Sequence, residues 1–423
     1  MKKTTAKRKE FMGLRFCVII ILIATACSTS TNKERGEAEV LSNEDRQDYF
    51  KNKVEVEHAK NFTVSYHGNY KLVKAKVGFG AVSQDADSLS WSRAFSDKMV
   101  LVQRGSNPPP LNGELAGAHI IEIPVETIAG NADDAPTRFI TLGVADKIVG
   151  LGHEGVYDPN LRKRFVEGEL SQIGASWHTG PNFETLLVIK PDLSLLTAAS
   201  LTQSEGISKT RELGLKAAPD FSWSETSYLG QLEWIKYDAL FLNKEAAANH
   251  FFEEIKARCD SLQKLVEDKN QMPGAMWGMH RKSGAWTLRV NGAIAQLIEA
   301  AGATNPFANK NAAVTETQAN GISEGIRISD EFVLEKAKEV DFIISFQSTT
   351  ENWPPDSHMK DFPAFEKRNL YHHFSRYKDY GAYDWYQTAS MRPDILLKDL
   401  IKLFHPEVLP EHELFFMDKI QVK

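Results

Sequence analysis

The 423-residue sequence predicts an α/β protein of two lobes with mainly parallel sheets, joined by one long helix and preceded by a small β-rich extension. Three observations carry that expectation. Short apolar runs alternate with helical segments through most of the chain. One stretch of helical period, residues 243–268, interrupts the alternation near the middle. Ahead of it all, residues 58–116 carry runs of period two punctuated by turn residues.

The chain opens with Lys2, Lys3, Lys7, Arg8, Lys9 and Arg15, followed by apolar and small residues over 16–26. As a helix that run rises only about 16 Å, whereas a bilayer span needs ~20 residues. Residues 1–26 therefore read as an export signal that takes no part in the fold. The segment Ala24-Thr25-Ala26-Cys27 resembles a bacterial lipobox, with Ala24 where Leu is usual, and the resemblance makes Cys27 the lipidated first residue of the mature chain. A plain signal peptide followed by a chance cysteine is the alternative. Lipid on Cys27 predicts a lipoprotein held to an envelope membrane and facing the periplasm, since each buried methylene contributes ~0.8 kcal/mol and several acyl chains hold stably. Polar residues 27–57 form the expected flexible tether.

With Cys17 in the signal and Cys27 acylated, Cys259 stands alone in the mature chain. No internal disulfide is available, so the core must hold the fold. Loss of six basic residues and one acidic residue with the signal takes the formal charge from −6 to −11. That acidity argues against nucleic acid as a partner.

About 400 mature residues exceed one comfortable core, and two domains are expected. In the extension, Phe62, Val64 and Tyr66, then Tyr70 and Leu72, then Val100 and Val102 suggest a strand meander turning at His67-Gly68-Asn69. The first lobe covers 117–242, with strands at 119–123, 147–151 and 193–197. Over 243–268, Ala248, Phe252, Ile255, Cys259, Leu262 and Val266 recur at spacings of four and three, which places them on one face of the connecting helix. Cys259 on that stripe reads as packing. The second lobe covers 269–423, with strands at 275–279, 286–290 and 342–346 and helices at 292–301, 330–338 and 393–404.

A weak echo links the lobes. Asn182-Phe183-Glu184 and Ser329-Asp330-Glu331 each place a capping residue two positions before a glutamate in a helix's first turn, and each leads to an apolar strand. Such a glutamate complements the helix dipole, worth ~0.3–1 kcal/mol, without any further role.

At these residues the sequence resembles the family of ABC-importer substrate-binding proteins that includes the siderophore-, haem- and vitamin B12-binding proteins. The similarity covers roughly residues 117–410. It rests on Leu142-Gly143 with Asp146-Lys147-Ile148-Val149-Gly150, on Asn182-Phe183-Glu184 with Lys190-Pro191-Asp192-Leu193, and on Ala301-Gly302-Ala303-Thr304-Asn305. The run Arg392-Pro393-Asp394 with His405-Pro406 completes it. The resemblance implies a monomer whose ligand, an iron-siderophore, haem or corrinoid-like compound, lies in the cleft between the lobes. It implies no cofactor beyond any iron or cobalt that the ligand carries. It further implies that Glu184 and Glu331, one per lobe, dock onto the permease of an ABC transporter with its ATPase.

Ligands of open α/β sheets sit beyond the carboxyl ends of strands. That places His153 and Tyr157 of the first lobe and Trp277 and Arg281 of the second among the expected ligand contacts. Trp177, and Asp384-Trp385 followed by Arg392, resemble cleft-lining segments of the vitamin B12-binding members. Gly325 stands where those members carry a further tryptophan, so no ligand is assigned within the family. Aromatic faces suit a large flat ligand, and Arg281 and Arg392 suit the oxygens of an anionic ferric chelate. Two other classes remain. An envelope hydrolase needs a nucleophile–base set, yet no His-Glu-x-x-His or Gly-x-x-x-x-Gly-Lys-Ser/Thr motif occurs. A bare-metal binder needs three or four convergent ligands, and adjacent His372 and His373 point to opposite faces of a strand.

Overall fold

The computed structural model describes residues 48–81, 91–175, 179–281, 284–308, 325–346 and 361–421. The export signal, Cys27, most of the tether and Trp177 lie outside the described residues.

The extension is a four-stranded sheet of β1 (Phe62–His67), β2 (Tyr70–Ala81), β3 (Trp91–Gln103) and β4 (His119–Ile123), paired in that order. The first three strands are an antiparallel meander, and His67 pairs with Tyr70 across the turn the sequence marks. Strand β4, expected to open the first lobe, instead runs parallel to β3 and completes this sheet. One face buries Val73, Ala75, Met99 and Leu101 against the main core.

The first lobe is an all-parallel sheet in the order β7-β6-β5-β8-β9, with β5 (Ile128–Gly130), β6 (Ile148–Leu151), β7 (Ser171–Gln172), β8 (Leu193–Thr197) and β9 (Ala217–Asp220). Helices α1 (Ala135–Thr141), α2 (Pro159–Val166), α3 (Phe183–Ile189) and α4 (Leu201–Glu212) connect them. The central strands are short and mostly apolar because both faces are covered, and every residue of β8 is buried. Local sequence sets the helix ends. The Asp158 carboxylate accepts from the N–H groups of Asn160 and Leu161 ahead of α2, with Pro159 at its first position.

Two consecutive helices lead to the second lobe. Helix α5 (Tyr228–Leu242) starts at the Ser227 cap and stops at Asn243, whose left-handed φ of 52° ends it. Helix α6 (Glu245–Lys264) follows, with Ala248, Phe252, Ile255, Cys259 and Leu262 buried along one stripe. Helix α5 is buried on nearly every side, packed against α6, α1 and α7 (Gly292–Ala300). Burial, with Asp394 and Asp260 nearby, pushes the Cys259 thiol up to about 12, which keeps it inert.

The second lobe contains β10 (Ala275–Arg281), β11 (Ala285–Arg289), β12 (Gly325–Ser329), β13 (Phe342–Ser345) and β14 (Leu370–His372). A small hairpin of β15 (Tyr377–Lys378) and β16 (Ala382–Tyr383) follows, and β17 (Asp418–Lys419) closes the chain. The main sheet runs β12-β11-β10-β13-β14-β17. Its centre, β10-β13-β14, is parallel, while β11, β12 and β17 pair antiparallel. Helices α8 (Asp330–Glu335), α9 (Pro363–Glu366), α10 (Asp384–Thr388) and α11 (Pro393–Phe404) complete the lobe.

Buried charges tie the extension to α5. The Glu233 carboxylate accepts from the backbone N–H groups of Glu57, His58 and Ala59 at 2.7–3.2 Å and pairs with Lys236 at 2.8 Å. Glu225 does the same for Lys60 and Asn61, and also takes the indole N–H of Trp234 at 2.9 Å. Lys71, fully buried on β2, donates to Leu240 O at 2.7 Å and Asn243 Oδ1 at 2.8 Å and pairs with Glu245. The extension is thereby fixed at the junction of α5 and α6.

Candidate functional site

A cavity of about 1150 Å³ opens between the lobes. Its first-lobe wall comes from segments just beyond the carboxyl ends of β5, β6 and β8: Asp133 and Asp134, His153, then Thr197, Ser200 and Gln203. Its second-lobe wall is aromatic, built from Trp277 on β10, Phe346 after β13, His373 after β14, Tyr383 on β16 and Trp385 on α10. Arg289 ends β11 and enters the same wall, and Tyr228 of α5 lines the back.

The rings form one array. His373 stacks on Trp385 with centroids 4.1 Å apart and 23° between planes, and Trp277 lies 5.5 Å from His373 and 5.6 Å from Trp385. Phe416 meets the far side of Trp385 edge-on at 5.7 Å. Burial holds His373 well below the usual histidine range, with Arg289 and His372 adding to the effect, so the imidazole is neutral. Its Nδ1 is buried without a hydrogen-bond partner. The guanidinium of Arg289 lies 5.2 Å over the Phe346 ring.

On the opposite wall, the Gly155 N–H donates to His153 Nδ1 at 3.0 Å, so a neutral His153 carries its proton on Nε2, 3.3 Å from Asp133 Oδ1. Below lies the fully buried Arg138, paired with Asp220, with Asp238 at 3.0 Å and with Asp134 at 3.6 Å. One cation cannot stabilise three buried carboxylates equally. Burial drives Asp238 up to about 8 against the pull of Arg138, with Asp220 and Asp134 raising it further. Burial likewise raises Asp134, while for Asp220 the Arg138 contact outweighs burial and lowers it.

The lobes also touch directly. The Tyr157 N–H donates to Gln387 Oε1 at 2.9 Å, Gln387 Nε2 donates to Gly155 O at 2.8 Å, and Ser390 Oγ donates to Asp134 Oδ2 at 2.8 Å. Space at Gly155 is tight: an added Cβ would stand 2.9 Å from His153 Nδ1 and 3.1 Å from Gly381 O, and the His153 ring would have to move.

Of the expected ligand contacts, His153, Trp277 and Trp385 line this cavity together. Tyr157 and Asp384 stand just behind the wall. The Tyr157 ring packs under Arg376 and Lys378, and Asp384 accepts from Arg376 Nε at 2.5 Å and Thr388 Oγ1 at 2.6 Å, which orients α10. The two expected guanidiniums are not among the lining residues. Arg392 forks onto Asp394 at 2.8 and 2.9 Å, and Arg281 Nε donates to Thr287 Oγ1 at 2.9 Å. Arg392 is thus paired within its own lobe, and Arg281 gives one N–H to a neighbouring hydroxyl. Arg289, Phe346, His373 and the Asp133-Asp134 pair were not singled out from sequence as contacts. The alternation of β11 held a signal: Trp286, Leu288 and Val290 share one face, which puts Arg289 on the other.

Glu184 and Glu331 are exposed in the first turns of α3 and α8. Asn182 Oδ1 accepts from the Thr185 N–H at 3.1 Å, and Ser329 Oγ from the Phe332 N–H at 3.4 Å, so both caps read from the sequence are in place. Among the described residues no group of three or more His, Cys, Asp or Glu side chains is placed to hold a metal ion. No helix among them is long and apolar enough to cross a membrane.

Two α/β lobes enclosing a cleft, linked through helices, define the architecture of a periplasmic binding protein. Residues 137–369 match the periplasmic binding protein family, and the chain belongs to it. An uncharacterized lipoprotein of Methanocaldococcus jannaschii is 24% identical over 273 residues, 63% of this chain and 60% of that protein. A second uncharacterized lipoprotein of the same organism is 27% identical over 187 residues, 43% of this chain and 46% of its own length. The chain thus spans about half of the relatives it matches. Among solved structures, a periplasmic binding protein from Veillonella parvula superposes with a TM-score of 0.51 at 14% identity, covering 67% of this chain and 92% of that one. Helicobacter pylori Ceue, solved with Ni(II) bound, gives 0.51 at 13% identity over 69% of this chain and 88% of its own. These two share the fold.

Proposed function

We propose that this chain is the lipid-anchored substrate-binding component of an ABC importer. It captures an iron-siderophore, haem or corrinoid-like ligand between its lobes and delivers it to a membrane permease. The observation that carries this reading is the cleft itself: about 1150 Å³, walled on one side by the Trp277–His373–Trp385 array. That volume slightly exceeds the ~300–1,000 Å³ typical of small-molecule sites, and a ring array rewards a ligand with a flat face. A relative of the same fold holds Ni(II), which is consistent with metal-bearing cargo.

Glu184 and Glu331 are the proposed contacts with permease arginines. Exposed pairs are each worth only ~0–1 kcal/mol, enough to set register without blocking release. Cys27 supplies the anchor. Neither catalysis nor a resident cofactor is part of this function.

A thermal-shift screen of the full chain against haemin, cobalamins, ferric siderophores, and free Zn²⁺ or Mn²⁺ tests the reading. A cargo at 100 times its Kd adds ~2.7 kcal/mol of stability. Stabilisation by a free ion and by none of the chelates or macrocycles overturns it in favour of a bare-metal binder. Charge reversal at both Glu184 and Glu331 abolishes uptake and leaves affinity unchanged; lost affinity with normal uptake removes the docking role.

A further inference from the structure

The two walls of the cleft differ in chemistry. The first-lobe wall presents carboxylates and neutral polar groups, from Asp133, Asp134, Thr197, Ser200 and Gln203. The second-lobe wall presents ring faces. Thr197 is 5% exposed, and its Oγ1 lines up with no hydrogen-bond partner although the residue borders the cavity. A buried hydroxyl of that kind is satisfied when a ligand supplies the partner.

Among the described lining residues charge is sparse: Asp133 and Arg289 carry it, and burial pushes Asp134 toward its neutral form. Among the described lining residues, Arg289 is the sole lysine or arginine, and its guanidinium already lies over Phe346. The neutral His373 adds no positive charge. Arg138, the next guanidinium below the first-lobe wall, is fully buried among Asp134, Asp220 and Asp238. Arg392 forks onto Asp394, and neither it nor Arg281, the groups that would have suited an anionic chelate, is among the lining residues.

We infer that the cleft selects a large flat ligand of zero or positive net charge, its ring face against Trp385 and its hydrogen-bond donors toward Asp133, Asp134 and Thr197. Polyanionic chelates are discriminated against. The inference rests on the ligand-binding reading above and names the class of cargo within it. The physics is that of selection by rejection. A carboxylate or catecholate brought beside Asp133 gives up its water and meets like charge. An amide or ammonium at the same place finds acceptors.

Two probes with one macrocycle isolate the charge. Dicyanocobinamide carries a periphery of neutral amides, and dicyanocobyrinic acid carries carboxylates at the corresponding positions. The full chain is titrated with each by tryptophan fluorescence, with ferric enterobactin as a polyanion of different shape. The amide macrocycle is expected to bind at least tenfold more tightly than the carboxylate form. Asp133→Lys is expected to narrow or reverse that ratio, with circular dichroism confirming the fold. Equal or tighter binding of the carboxylate macrocycle or of ferric enterobactin overturns the charge inference and leaves the ligand-binding reading standing. Binding of none of the three, nor of haemin, overturns both.

Discussion

His373 lies flat on Trp385, 4.1 Å between ring centroids, and the pair leans on the buried Trp277. The stack separates two roles. Trp385 is half-buried and turned to the cavity, whereas Trp277 is 1% exposed and belongs to the core as much as to the wall.

Replacing each by alanine therefore gives different results. Trp277→Ala leaves a cavity in a packed interior and is expected to cost about 3–5 kcal/mol in urea unfolding. Trp385→Ala is expected to cost less stability but to weaken, by about tenfold or more, whichever chelate or macrocycle stabilises the wild type. Unchanged affinity in Trp385→Ala removes that ring from the site.

Gln387 gives a second separation. Its amide accepts from the Tyr157 N–H and donates to Gly155 O, so one buried side chain joins the second lobe to the backbone of the first. Gln387→Ala leaves both backbone groups unpaired, at ~1–3 kcal/mol each. The expected outcome is amide exchange at Tyr157 faster by about tenfold or more and quicker ligand release. Exchange in β8 should not change. A uniform rise across the first lobe instead indicates global destabilisation.

Much of this fold was legible in the sequence because local signals and burial agree. The turn between His67 and Tyr70, strand β8, the caps Asn182 and Ser329 and helix α11 stand where turn chemistry, apolar runs and capping residues place them. Long-range pairing was harder to read. Nothing local in 119–123 distinguishes a strand of the first lobe from one that joins β3, and pairing decides it. The mixed second sheet had a missed cue: six residues between Met279 and Trp286 leave no room for a crossover helix, so β11 must return antiparallel. Site residues follow the same division. Position relative to a strand found His153 and Trp277, and the resemblance to cleft-lining segments of the vitamin B12-binding members found Trp385. Arg392 was misleading because its partner, Asp394, is two residues away and takes both guanidinium nitrogens.

The anchorage of the extension predicts a large effect far from the cleft. Glu233 is fully buried, takes three backbone N–H groups and pairs with Lys236. Burial raises its pKa, but Lys236 and those N–H groups outweigh burial and hold the carboxyl below its ordinary range. Glu233→Ala strands a buried lysine and is expected to cost about 3–5 kcal/mol. Limited proteolysis of the variant should cut first within residues 48–61. Wild-type resistance there would show that Glu233 does not fasten the extension.

The Arg138 cluster makes stability depend on pH in a defined direction. Asp238, driven up to about 8 by burial against Arg138, keeps its proton in the folded protein where the unfolded chain, near 3.8, has lost it. A folded pKa above the unfolded one gives stability that is complete below about pH 4 and drains away as pH rises through about 8. The slope cannot exceed about 1.4 kcal/mol per pH unit for one proton. Asn at this position mimics the protonated acid in shape and charge. Asp238→Asn is therefore expected to leave stability near pH 5 within about 1 kcal/mol of wild type and to flatten its decline between pH 5 and 8. Urea midpoints at pH 5, 6, 7 and 8 for both proteins measure this. Parallel curves would mean that Asp238 is ionised beside Arg138 throughout, and that the proton held under the cleft belongs to another group.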